Sequence, residues 1–154
     1  MLEVLVVVAI FGIVGSLGLY ATMNSYHGSN FRNDRNLLIA TLQRARAQSI
    51  NNICLGTCPD GRKHGVKILT PTPPATPSYV IFQTTNGYDS GRDAAYDVIF
   101  QAAPTTARSG DDEVVFEQLT GNAGATTITL TGGGRTSVIT IESLGSISWT
   151  DQII

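Results

Sequence analysis

The chain has 154 residues, a net charge of −2 and 14 % charged residues. Ordinary soluble domains carry about 25 %. The balance gives no global reason to expect a nucleic-acid partner, and after about 30 N-terminal residues are set aside the remainder suffices for one domain with its own core. The charge is uneven: residues 1–67 hold seven of the ten basic residues, and the rest holds nine of the twelve acidic ones.

The first stretch is apolar. Val4 to Phe11 is unbroken hydrocarbon, and no charge falls between Glu3 and Arg32. As a helix, Val4 to Tyr26 spans about 34 Å, the thickness of a bilayer core. Glu3 stands where a secretory signal has basic residues, and a carboxylate beside an apolar run is costly enough to mark a function. Gly12, Gly15 and Gly18 recur at three-residue spacing. They point to close helix packing or to a stretch able to unwind.

The polar residues His27-Gly28-Ser29-Asn30 interrupt this pattern. From Phe31 to Asn52 an amphipathic helix is predicted, with Phe31, Leu38, Leu42, Ala45 and Ser49 on one stripe and Arg32, Arg35, Arg44, Arg46 and Gln48 off it. No proline occurs in residues 1–58, so the two stretches can form one long helix, flexible near Gly28. The expected organisation is a transmembrane or filament-core segment over 1–27, its amphipathic continuation over 28–53 and a globular β-domain over 54–154.

Cys54 to Gly61 reads as a loop. Short β-type runs are predicted at 65–69, 79–84, 97–101, 113–118, 126–131, 137–142 and 145–149, several with period-two alternation. Gly132-Gly133-Gly134 is a hairpin connection. The fold class is α+β: a long N-terminal hydrophobic helix followed by a C-terminal antiparallel β-sheet domain. Residues 70–78 hold four of the six prolines and read as an extended exposed loop. Thr70, Thr72, Thr76 and Ser78 are its candidate O-glycan acceptors, against the plainer reading of a stiff connection. Asn86 to Asp93 carries oxygen ligands but does not follow the EF-hand order, and reads as a solvated turn. No nucleophile–base constellation is present, so no enzymatic activity and no cofactor are expected.

Leu2-Glu3-Val4-Leu5-Val6-Val7-Val8-Ala9-Ile10 resembles the start of type IV pilins and type II secretion pseudopilins, whose mature chains place a Glu just ahead of a long apolar helix. Residues 37–50 are similar to the Ala-Arg segment of the GspH/FimT subgroup of minor pilins; Val115-Phe116, the glycine hairpin and residues 141–147 are similar more loosely to its last strands. The resemblance implies a pilin fold and a structural subunit of a pilus or pseudopilus, in which Glu3 pairs with the N-terminal amine, here that of Met1, of a neighbouring subunit. It implies as partners copies of the chain or other pilins, the inner-membrane assembly machinery and a prepilin peptidase. The chain would pass from inner membrane to extracellular or periplasmic filament. A minor pilin that primes assembly or binds DNA during uptake, and a membrane-anchored adhesin, are the alternatives. The last residues carry no basic tail for DNA, although Arg44, Arg46, Arg62, Lys63 and Lys67 offer a patch.

The chain departs from the family in three ways. No leader with a terminal glycine is read ahead of Met1 and Glu3 lies two residues earlier than the family pattern places it, as expected either of a chain whose leader has been removed or of a start assigned at the wrong residue; the usual proline within the anchor is missing, which leaves the three glycines to permit unwinding. In an exported domain Cys54 and Cys58 suit a small-loop disulfide. Free thiols and metal ligation are the alternatives, and two thiols alone make a poor zinc site.

Overall fold

The computed structural model describes residues 2–56, 61–71 and 75–153, without the side chains of residues 2, 3, 5, 9, 15 and 17–27. Helix α1 runs Leu2–Ile50 with no break at Gly28. Eight strands follow: β1 Lys63–Leu69, β2 Ser78–Thr84, β3 Val98–Gln101, β4 Ala107–Gly110, β5 Glu113–Phe116, β6 Thr126–Gly132, β7 Arg135–Ile141 and β8 Ile147–Ile153. A single 3-10 turn, Ala94–Tyr96, precedes β3. The strands form two four-stranded antiparallel sheets, ordered β3-β2-β1-β5 and β4-β6-β7-β8.

This corrects the expected fold class. The expectation is a long N-terminal hydrophobic helix followed by a C-terminal antiparallel β-sheet domain, the pilin fold. Among the described residues no helix is long and apolar enough to cross a membrane. The helical stretch whose side chains are described without a gap, residues 28–50, is amphipathic, with Arg32 and Arg44 outward and Leu38 and Leu42 inward. The β-region divides into two sheets, because β1 pairs with β2 and β5 and leaves β4 to start a separate sheet against β6.

One core joins the three layers. Phe31, Leu38, Ile39, Leu42 and Ala45 of α1 pack with Val66, Ile68, Tyr79, Ile81, Val114 and Phe116 of the first sheet and with Ile128, Leu130, Ile139 and Ile141 of the second. The buried stripe is wider than predicted, since Gln48 and Thr41 also lie inside it. The helix ends at Ile50 in a Schellman motif. Asn52 takes the left-handed conformation (φ 49°), its N–H donates to the Ser49 carbonyl (3.1 Å), and the Ile53 N–H reaches back to Gln48 (2.9 Å). The Ser49 hydroxyl donates to the Phe116 carbonyl (3.0 Å) and accepts from the His64 N–H (2.9 Å), fastening this end of the helix to β1 and β5.

The glycine hairpin forms as predicted. Gly132 pairs with Arg135, and Gly133 and Gly134 both take positive φ (57° and 69°), as a type I′ turn requires. Ser78 is corrected: it belongs to β2 and is 8 % exposed, so it is no loop acceptor.

Candidate functional site

The first turns of α1 carry a surface that the fold leaves uncovered. Val4, Val6, Val7, Val8, Ile10, Phe11, Ile13 and Val14 are all at least half exposed, and Phe11 reaches 73 %. At 100° per residue, positions 4, 7, 8, 11 and 14 form one stripe and 6, 10 and 13 another, so apolar side chains face outward on most sides. Gly12 has nothing within 4 Å of where a Cβ would stand. An apolar surface of this extent marks a binding site for another apolar surface. Covering these side chains is worth on the order of 10 kcal/mol.

The other sequence-predicted residues are scattered. Glu3 lies within α1, but its side chain, Met1, Cys58 and Thr72 fall outside what is described; Gly15 and Gly18 continue the helix. Cys54 is disulfide-bonded. Thr70 is exposed, and the exposed Thr76 hydroxyl bonds Gln101 Oε1 (2.7 Å) at the end of β3. Of the basic patch, Lys63 pairs with Glu117 (2.8 Å), Lys67 with Asp112 (3.0 Å) and Glu113 (3.5 Å), and Arg46 donates to the Leu144 carbonyl (3.2 Å). Lys63 and Lys67 are thus matched by local carboxylates. The 86–93 turn closes on protein groups: the Asn86 and Gly87 N–H groups donate to Thr84 Oγ1, the Tyr88 N–H donates to Glu113 (2.8 Å), and the Arg92 guanidinium stacks 3.9 Å from the Tyr88 ring. Among the described residues no group of three or more His, Cys, Asp and Glu side chains is placed to hold a metal ion.

Sequence reasoning missed a buried polar network. Arg108 of β4 pairs with Asp34 of α1 (2.6 Å), with side-chain exposures of 4 % and 0 %. Arg108 Nε donates to the Tyr79 hydroxyl (2.9 Å), and Tyr79 donates to Asp34 (3.1 Å). The Ala103 N–H donates to the second Asp34 oxygen (2.9 Å), and two more Arg108 donors go to the Thr106 and Ala103 carbonyls. Burial raises the Tyr79 pKa, the Asp34 charge adds to that rise and Arg108 opposes it, so the phenol stays a donor. The signal was available: Asp34 falls on the Phe31–Leu38–Leu42 stripe, where a carboxylate needs a buried partner.

His64 of β1 is buried, and neither ring nitrogen makes a hydrogen bond of standard geometry. Burial lowers its pKa from 6.5, with the Arg62 backbone pulling weakly upward. The unfolded chain therefore binds this proton more readily than the folded one. The stability His64 confers is complete above about pH 6.5 and is lost as pH falls below it. Urea midpoints should fall between pH 7 and pH 5, and His64→Gln, which cannot take up the proton, should flatten that fall.

No family model, no curated protein and no solved structure matches this chain.

Proposed function

We propose that the chain is a structural subunit of an extracellular filament of the type IV pilin or pseudopilin kind, joined to its neighbours through the first turns of α1. The observation that carries this reading is the uncovered apolar surface from Val4 to Val14, which neighbouring copies of the same helix would cover. The residue order around it, with Glu3 just ahead of the apolar run, supports the same reading. A carboxylate among packed apolar helices is tolerated only with a partner. The N-terminal amine of an adjacent subunit supplies one, and Glu3 then sets the axial offset at which subunits pack. In this reading the subunit waits at the inner membrane for the assembly machinery, and the sheets form the filament's outer surface.

Filaments sheared from cells, imaged by electron microscopy and identified by mass spectrometry, test the proposal. Glu3→Ala and Phe11→Asp should each reduce filament yield at least tenfold with the subunit still present in cells. Normal yield from both variants would overturn it.

A further inference from the structure

Strand β1 meets the end of α1 at His64. Alternation along the strand puts this side chain on the face that Val66 and Ile68 turn to the core, where it is 1 % exposed. Gln83 of β2 stands directly opposite. Its side-chain amide clasps Leu55, accepting from the Leu55 N–H (3.0 Å) and donating to the Leu55 carbonyl. The Ser49 hydroxyl holds the His64 N–H, and the Ser49 carbonyl accepts from the N–H groups of Asn52 and Leu119. Segment 49–55 thus closes this end of the core over the imidazole. It is held mainly by neutral hydrogen bonds, since Ile50 and Ile53 are each 39 % exposed.

The site makes no provision for a positive charge. An imidazolium carries two N–H donors, yet neither ring nitrogen has a partner, and the last turn of α1 adds only a neutral acceptor, the buried Gln48 Oε1. Among the surrounding elements β2 has no charged residue. Lys63 pairs with Glu117, and Lys67 with Asp112 and Glu113. Arg46 is turned to the Leu144 carbonyl, Arg44 is exposed, and Arg62 is a further cation. Each of these carboxylates already has a lysine.

We propose that His64 makes the end of α1 an acid-released latch: in mildly acid solution segment 49–55 lifts from β1 and β5 and lets the imidazolium reach water, while both sheets stay folded. A buried unpaired cation costs more than the few neutral hydrogen bonds that close the segment. Global unfolding would also expose the ring, but it gives up the core shared by the three layers, so the local opening comes first. The latch uses no residue of the first turns of α1 and stands or falls apart from the filament reading.

Native-state hydrogen exchange of the full chain in mild detergent at pH 7.5 and pH 5.0, corrected for intrinsic rates, tests it. At pH 5.0 an exposed imidazole of pKa 6.5 is about thirtyfold more charged than neutral, which bounds the gain. On acidification the amides of Asn52, Ile53, Leu55, His64 and Leu119 should lose protection by about five- to thirtyfold. Their exchange should not respond to urea below the unfolding transition, the mark of an opening that exposes little surface. Amides of β6 and β7 should stay at least tenfold better protected at both pH values and should lose protection as urea is added. His64→Gln, which takes up no proton, should abolish the acid loss in the segment. Ser49→Ala cuts the latch without removing the titrating group and should lower protection there at both pH values. No acid loss in the parent, an acid loss that survives in His64→Gln, or segment amides that follow β6 and β7 in protection and urea response would each overturn the proposal.

Discussion

Replacing Arg108 by methionine is expected to destabilise the fold by about 3–5 kcal/mol, the usual consequence of leaving a buried charge without its partner. Asp34 is fully buried, and without the guanidinium its carboxylate keeps only the Tyr79 hydroxyl and the Ala103 N–H. The Thr106 carbonyl loses its Arg108 donor at the same time, and the Ala103 carbonyl keeps only the Thr106 N–H. The network joins α1, β2 of the first sheet and β4 of the second, so the loss falls where the three layers meet. Urea denaturation of the variant beside the parent measures the effect; a difference below about 1 kcal/mol would show that Asp34 finds other compensation. Asp34→Leu combined with Arg108→Met removes both charges but still strands the Tyr79 hydroxyl and the Ala103 N–H, each worth about 1–3 kcal/mol. The double variant should therefore lie about 2–6 kcal/mol below the parent, with no return to parental stability.

How much of this was legible follows the locality of each feature. Strands β6 and β7 show in the sequence because Ile128, Leu130, Ile139 and Ile141 alternate with polar residues around a glycine turn. Strand β4, Ala107–Gly110, does not show, because it holds no β-branched or aromatic residue and exists through its pairing with β6. The division into two sheets was equally hidden: β1 skips β3 and β4 to pair with β5, a choice made by packing far along the chain. Strand β2 is buried along its whole length, so its polar residues Ser78, Gln83 and Thr84 carry no mark of their position, and Ser78 was read as loop. The uncovered side chains Val4 to Val14 were legible as an apolar run, since hydrocarbon without interruption needs no tertiary context to recognise. The Asp34–Tyr79–Arg108 network was half legible, in the carboxylate on the core stripe. Its partners lie 45 and 74 residues away, beyond any periodicity.

The second large effect is expected at Leu42, which is fully buried on the face of α1 that packs into the shared core. Leu42→Ala should cost about 2–5 kcal/mol, the lost transfer of the side chain plus the cavity it leaves. The size of the loss depends on whether the walls can close in. Here they resist. The helix is held at one end by Ser49 against β1 and β5, and about two turns before Leu42 by Asp34 against β2 and β4. It cannot slide toward either sheet without breaking one of these anchors, so the cost should lie in the upper half of the range. Because the core is continuous from helix to both sheets, native-state hydrogen exchange should show protection in β2 and in β6 falling by the same amount. If only one sheet loses protection, the two sheets open as separate units and the helix does not couple them.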